Sequence, residues 1–420
     1  MSGLKVGIFG GSRGMDIAKN FMMLNCDIVA VCENRENQYK RIRDMAGEDV
    51  VIYDDFDKFI EHDMDCVVLA NFFHEHAPYA IRCIEKGLHV YSECISNGTM
   101  AEGVELVEAF EKHPDVVYML AENYPQMKFN REIKRIVDTG SLGKILFAEA
   151  EYNHPGNVDN KEIKLRYIYK KEHWRNYLPR TYYVTHSLGP VMFVTGATPK
   201  RVTAFNMAVP KEEGHIDSSF VCDMAANITT MNDDGSVFRF TGCAEFGAHH
   251  NSTRVCGTKG SMENIRGMGD QVMLRYNGWE KPEGAPTKSF YDPNWNDEQE
   301  ALIMKSGHGG GDFLTARIFV ESIENKVQPP HPYDIYSATV MSSVAILGHR
   351  SSLEGGMPYD IPDFKIKEDR DKYREDRLSP FIDKFGDKPT IQCCSDANYK
   401  PDESSIKRFE EEIEEEMKKK

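Results

Sequence analysis

No apolar run in the 420 residues approaches the roughly 18 to 20 that a membrane helix requires. The N-terminus passes from Met1 through Ser-Gly-Leu-Lys-Val straight into a strand-like pattern, so a soluble protein with neither signal peptide nor membrane anchor is expected. Positive charge is in short supply: Lys and Arg total 51 against 67 Asp and Glu, a net charge of −16. A surface of that sign repels phosphate backbones, so nucleic acid is not the expected partner. The ten cysteines include no C-x-x-C pair. Neither a zinc site nor a disulfide framework is suggested, no metal is expected, and a reducing cytoplasm fits best.

What is present is a long alternation of apolar runs and amphipathic segments. Residues 4–123 carry "LKVGIF", "DIVAVC", "VVIY", "CVVLAN", "HVYSEC" and "VVYMLAEN", with helix-period stretches such as "HAPYAIRCIEKG" and "MAEGVELVEAFEKH" between them. Continuous Val/Ile/Leu-rich strands separated by helices predict a parallel sheet covered on both faces. From about residue 145 the pattern changes to "ILFAEAEYN", "RVTAFNMAV", "FVCDMAANITTM", "SVFRFTGCAEF" and "STRVCGTKGSMEN", with turn signals such as "NDDGS" between, which predicts a largely antiparallel sheet. Helical periodicity returns at 312–325 and 334–353. The stretch 278–311 reads as a long loop ending in "GHGGGD". After 361 charge dominates, and "SSIKRFEEEIEEEMKKK" reads as a solvated helix on a surface or subunit-contact tail.

The stretch "KVGIFGGSRGMDIAKNF" sets Gly10, Gly11, Ser12, Arg13 and Gly14 directly after the first strand and at the start of a helix. A tight glycine turn lets backbone N–H groups and a helix N-terminus approach a pyrophosphate. The match to G-x-G-x-x-G is imperfect, with Ser12 at the second position and Gly14 displaced by one. Glu33 ends the second strand, where an acid accepts hydrogen bonds from an adenosine ribose and repels a 2′-phosphate. NAD is therefore favoured, although Arg35 keeps NADP open. The expected fold class is an α/β Rossmann domain over 1–124, then an α+β domain with a large, mostly antiparallel open sheet over 125–360, and a charged extension over 361–420.

These residues, followed by "VVLANFFHEHAPYAIRCIEKGLHVYSE", resemble the glucose-fructose oxidoreductase, inositol dehydrogenase and MocA family (Gfo/Idh/MocA) over about residues 4–355. His76, Gly87, His89, Val90 and Glu93 stand in register with it; Asn71, Phe72 and Phe73 replace a Thr-Pro-Asn. The resemblance implies that Asn71, His76, Glu93 and Asn123 join the glycine turn and Glu33 at the cofactor. Where that family carries a lysine and an aspartate this chain has Cys94 and Tyr182, and it keeps His186. A branch similar to NAD-dependent α-N-acetylgalactosaminidases shares a non-lysine residue after the glutamate, a "Y-x-x-H-x-L-G-P" segment, here Tyr183 to Pro190, and a "GHGG-x-D" segment, here His308 to Asp312.

Oxidising a secondary alcohol needs a base for the hydroxyl proton. A buried thiol serves poorly, because burial disfavours the thiolate. Imidazole suits proton transfer near neutral pH, so His186 is expected as the base, with Tyr183 three residues before it sharing or delivering the proton. Tyr182, His308, Asp312 and Trp174 are expected to bind the substrate, a carbohydrate or glycoside. Glu93 and Glu122 are read as structural or ribose-binding rather than as a glycosidase carboxylate pair. His154 with Asp159 reads as a turn, and His249-His250 as an unlikely metal pair, since adjacent strand residues face opposite ways. Trp279, Trp295, Tyr169 and Tyr177 suit sugar stacking or, by default, core packing. The leading expectation is an NAD-dependent oxidoreductase acting on a sugar ring hydroxyl, with C3 oxidation to a 3-keto glycoside. A redox glycosidase that returns the hydride and a catalytically silent nucleotide sensor are the alternatives. A homodimer or homotetramer is expected from the uncovered face of the second sheet.

Overall fold

The computed structural model describes residues 3–155, 173–208, 220–382, 388–401 and 403–418. Its first sheet contains β1 (Lys5–Phe9), β2 (Asp27–Cys32), β3 (Val51–Tyr53), β4 (Cys66–Leu69), β5 (His89–Ser92) and β6 (Tyr118–Leu120), in the order β3-β2-β1-β4-β5-β6. Every pairing is parallel. Val6, Ile8, Val67, Val68, Val90 and Leu120 are completely buried, as continuous apolar strands require when helices cover both faces. Those helices include α1 (Arg13–Met23), α2 (Tyr39–Ala46), α3 (His76–Glu85) and α4 (Met100–Lys112). A capping box between Thr99 and Glu102 starts α4, satisfying amide donors that the first turn otherwise leaves unpaired. The strand order reverses between β1 and β4, and at that switch point the carboxyl ends open a crevice.

After α5 (Lys128–Asp138), the second sheet is built from β7 (Ile145–Asn153), β8 (Pro199–Ala208), β9 (Asp223–Asn232), β10 (Val237–Thr241), β11 (His250–Gly257), β12 (Gly260–Asn264), β13 (Val272–Tyr276), β14 (Lys288–Tyr291) and β15 (Tyr359–Asp360). Their order is β14-β13-β12-β11-β7-β10-β9-β8-β15. Only β7 and β10 pair in parallel; the other neighbours are antiparallel. Along β7 the inner residues Ala148, Ala150 and Tyr152 are buried, alternating with Phe147, Glu149 and Glu151, the period-two pattern of a half-covered sheet. The buried face meets α6 (Thr185–Thr195) and α8 (Ile335–Leu353).

Between those helices, α7 (Gly311–Asn325) returns to the first domain. Its Phe319 makes edge contacts with Phe21 of α1 at 6.1 Å and with Tyr91 of β5 at 5.4 Å, so the second half of the chain completes one apolar layer of the first sheet.

Two stretches differ from their sequence reading. The 278–311 segment is not an open loop: β14 pairs with β13, and Trp295 and Ile303 pack with Phe313, Leu314 and the α1 residue Met23 in a small core. Its Pro, Gly and Asn content masks two apolar anchors, Trp295 and Ile303. Trp279, by contrast, is 83% exposed. The extension after 361 is also no free tail at its start. Phe364 and Phe381 are buried, and Arg377, Arg374 and Arg370 pair in turn with Glu105, Glu108 and Glu111, three acids spaced along one face of α4. Asp376 takes both arms of Arg350 at 2.5 and 2.6 Å. The periodic acids of α4 and the basic residues 370–377 were matched surfaces within one chain. The terminal α9 (Glu403–Lys418) is helical, as its charge pattern suggests.

The strap, residues 361–382 and 388–401, is also tied by His349, whose Nε2 lies 2.8 Å from the Gln392 carbonyl. Burial holds this imidazole down at about 4, with the Gln392 carbonyl and Arg350 acting in opposite directions. The unfolded chain, with its imidazole near ~6.5, takes up the proton first as pH falls, so the stability linked to this group is complete above about pH 6.5 and is lost towards pH 4, about 3 kcal/mol in all. Urea midpoints measured across that window should fall for the wild type and fall less for His349→Gln.

Candidate active site

The glycines of the first turn do separate jobs. Gly10 has φ +105°, and a Cβ there would sit 2.3 Å from the Ala70 carbonyl oxygen; a Cβ on Gly14 would meet Ile8 at 2.5 Å, so Gly14 lets α1 press on β1. The Gly11 amide donates to Glu33 Oε2 at 2.9 Å. A cleft of about 700 Å³ runs along the strand ends beside this turn, bounded by Gly10, Ser12, Arg13, Glu33, Asn71 and Cys94 among others. The glycine cradle, the acid ending β2 and the buried, unpartnered Oδ1 of Asn71 fit a dinucleotide. Glu33 is more occupied than its sequence position suggests: Arg35 donates to it from its backbone amide at 2.9 Å and its guanidinium at 2.8 and 2.7 Å. Burial pushes that carboxyl up, but the Arg35 and Gly11 hydrogen bonds prevail and hold it below the ordinary range. His76 is buried deeper, its Nδ1 2.8 Å from the Ile95 carbonyl, so it braces the loop after β5 at the cleft wall.

Arg13 links the glycine turn to the second half of the chain. Its Nε donates to Glu93 at 2.7 Å, and its terminal nitrogens donate to Asp312 at 3.0 and 2.7 Å. Asp312 also accepts from Asn123 Nδ2 at 2.6 Å and faces His308 Nδ1 at 2.9 Å. Burial alone would raise the Asp312 carboxyl; the His308 and Arg13 contacts outweigh it and hold it far below the usual carboxylate range. Asp312 is thus spent within the protein. The expected substrate contact of Asp312 falls on a side chain that anchors the turn, and Asn123 joins the same anchor.

Behind Cys94, at the end of the cleft, lies a buried carboxylate that the sequence reading set aside. Glu122 is wholly removed from water. It faces His186 Nδ1 at 2.8 and 3.0 Å, accepts from the Tyr124 amide at 3.1 Å and accepts from Cys94 Sγ at 3.3 Å. Burial raises its pKa, but the His186 charge and hydrogen bond lead the opposing effects, and the net position is below the ordinary value. An ionised carboxylate can only accept, so Nδ1 of His186 carries a proton, and in the neutral imidazole Nε2 is the nitrogen that keeps a lone pair. Burial, then the charges of Glu122 and Glu93, push the Cys94 thiol well up; it is a neutral donor. The His186 ring stacks on Tyr124 at 4.2 Å and meets Tyr152 and Tyr183 edge-on at 4.9 and 5.1 Å. Glu122, Tyr124 and Tyr152 were missed as site residues. The available signal was "AEN" closing an apolar parallel strand, since a charge placed there faces the crevice.

Other expected residues are not brought to the His186–Glu122 pair. Tyr182 is buried between Phe381 at 5.3 Å and His349 at 5.8 Å, so its assignment to substrate is corrected to core packing under the strap. Trp174 borders the cleft but is stacked by Phe73 at 5.0 Å and has the Arg175 guanidinium over its ring at 4.4 Å. Its indole is a wall more than a free platform. Tyr177 stacks on Phe220. His154 pairs with His249, their Nδ1 atoms 3.1 Å apart. Asp159 and Tyr169 lie outside the described residues.

A switch-point crevice with a glycine turn, and an imidazole of the open-sheet domain set against a carboxylate at the end of the first sheet, define an NAD-binding oxidoreductase. Residues 4–121 match the model described as "Oxidoreductase family, NAD-binding Rossmann fold", 130–263 the GFO/IDH/MocA C-terminal domain, and 223–369 the glycosyl hydrolase 109 C-terminal domain. The chain belongs to the Gfo/Idh/MocA oxidoreductase family. Among similar proteins, an α-N-acetylgalactosaminidase of Tannerella forsythia is 24% identical over 414 residues, covering 86% of each chain. Glycosyl hydrolase family 109 protein 2 of Akkermansia muciniphila is 24% identical over 390 residues, 84% of this chain and 81% of its own. The fold is shared with levoglucosan dehydrogenase in complex with NADH, TM-score 0.69 at 16% identity over 86% of this chain and 99% of that one. It is shared also with myo-inositol 2-dehydrogenase of Lactobacillus plantarum, TM-score 0.62 at 16% identity over 86% and 100%.

Replacing Glu33 by Ala removes acceptors from the ribose end of the cleft and frees the Arg35 guanidinium for a 2′-phosphate. NAD affinity should fall about 10- to 100-fold while NADP affinity holds or rises, read by fluorescence titration of both nucleotides.

Proposed function

We propose that the protein oxidises a ring hydroxyl of a sugar or glycoside, at C3, with His186 as the base and Glu122 as its positioning partner. The observation that carries this reading is the His186–Glu122 pair itself, held behind Cys94 at the end of the dinucleotide cleft. Gly10 to Gly14, Asn71 and Glu93 would hold the cofactor, and the bound nicotinamide supplies a reversible hydride acceptor. His186 Nε2 takes the hydroxyl proton, and Glu122 offsets the positive charge the imidazole gains. Burial pushes the Tyr183 phenol up, so its hydroxyl keeps its proton and serves as a donor to a sugar oxygen. Cys94 adds a hydrogen bond without charge.

A second reading, the redox glycosidase, is favoured by the match of residues 223–369 to the glycosyl hydrolase 109 domain and by the names of the relatives. Once C3 is a ketone, the C2–H is acidic and the C1 substituent can leave without an oxocarbenium ion. Water addition and return of the hydride complete a cycle with no net consumption of NAD. Purified protein incubated with nitrophenyl and natural glycosides separates the two: aglycone release without net NADH marks the glycosidase, NADH without release marks the dehydrogenase. Neither, with C2–H exchange into deuterated water also absent across the panel, defeats both.

Three substitutions test the residue roles. His186→Ala should lower kcat about 10²- to 10⁴-fold with NAD affinity nearly unchanged. Glu122→Gln should lose much of the same factor, because an amide neither fixes the tautomer nor balances the imidazolium. Cys94→Ser should stay within about tenfold of wild type. An active His186→Ala beside a dead Cys94→Ser would move the base to the cysteine. Light scattering should find a dimer or tetramer, as the exposed face of the second sheet requires.

A further inference from the structure

Away from the cleft, three of the ten cysteines meet where the strap crosses the start of β9. Cys222 and Cys394 are buried together with Val221, and Cys393 and Tyr399 pack against them. Cys393 Sγ donates to the Phe220 carbonyl at 3.2 Å and Cys394 Sγ to the same carbonyl at 3.5 Å, two residues before Cys222, which packs with Cys394 in the same buried cluster. The backbone on both sides of the pair is fixed. Gln392 is held by His349, and Ser395 by the buried Asp223, which accepts from the Ser395 amide at 2.9 Å and its hydroxyl at 2.5 Å. Asp223 and Ser395 are 172 residues apart in the chain. The proposed sugar chemistry uses none of these thiols.

We propose that Cys222 and Cys394 form a redox-active pair, a modification site whose oxidation to a disulfide fastens the C-terminal strap to the second sheet. A peroxide is the oxidant: each thiol gives up its proton, the two sulfurs are oxidised by two electrons to form the S–S bond, the O–O bond breaks, and two waters leave. Half-buried Cys393 is the thiol of the cluster nearest solvent. The strap so fastened carries Phe381, which stacks on His74 at 4.5 Å, packs on Tyr182 and lies 6.4 Å from Phe73 of the cleft wall. Closing so long a loop restricts the unfolded chain strongly, so the oxidised form is the harder one to unfold.

The test oxidises the purified full-length protein with dilute hydrogen peroxide, alkylates the remaining thiols after denaturation, and maps unreduced peptides by mass spectrometry. The expected result is a peptide pair joining Cys222 to Cys394, with an unfolding midpoint that rises on oxidation and returns on adding dithiothreitol. Cys222→Ser and Cys394→Ser, each shown to be folded by intact NAD binding, should lose both the link and the rise. A Cys393–Cys394 link with Cys222 still alkylatable, no link at all, or an equal midpoint rise in the two serine variants would overturn the proposal. None of these outcomes depends on the substrate, so they are separable from a failure of the proposed activity.

Discussion

The arrangement around His186 follows from one constraint: Glu122 is a carboxylate with no access to water. An unpaired charge in such a place costs several kcal/mol, so the fold must deliver partners to it from several elements at once. The loop after β5 brings the Cys94 thiol, the chain after β6 brings the Tyr124 amide, and the first turn of α6 brings His186 Nδ1. Those three elements come from both domains. Meeting the demands of this one carboxylate fixes the imidazole tautomer and the angle at which α6 enters. Gly189, where a Cβ would come within 2.7 Å of the Glu122 side chain, shows how closely that helix is seated.

The dinucleotide end has a comparable joint. Arg13 stands in the glycine turn, yet its guanidinium is held by Asp312, 299 residues later. The glycine turn is therefore braced by the helix that the second half of the chain sends back across α1. The contact of Phe319 with Phe21 and Tyr91 gives that brace its apolar footing, and the strap adds a third crossing through its Arg–Glu ladder on α4. A movement of one half against the other must disturb ion pairs and buried rings together, so cofactor turn and imidazole share a common frame.

Most of the fold was legible because it obeys local rules. Continuous apolar strands, glycine at the first turn and alternation in β7 each reflect a demand that acts within a few residues. Contacts between distant segments were not legible in the same way. Nothing local distinguishes Glu122, an acid at a strand end, from a structural one until His186 is set beside it. Asp312 looked like a substrate ligand because its Arg13 partner lies at the other end of the sequence. Tyr182 occupies the position of a family aspartate, but its ring is covered by Phe381 and His349, and a covering residue from the strap leaves no trace in the local pattern. The acids of α4 and the arginines of the strap carry no local mark of their pairing, since charge complementarity appears only when the two are apposed.

The cysteine at position 94 takes its meaning from the same carboxylate. Under the proposed assignment His186 must gain a positive charge when it accepts a proton, and Glu122 is the anion that makes this favourable. A lysine at position 94 would set a second cation against that carboxylate, close to where Sγ now lies 3.3 Å away. Two cations sharing one buried anion lower each other's proton affinity, so the imidazole would be a weaker base whenever the ammonium was present. A thiol pushed up by burial donates one hydrogen bond and brings no charge. On the proposed assignment a neutral donor at position 94 and an imidazole base at position 186 suit one another, because the single buried carboxylate then balances a single cation.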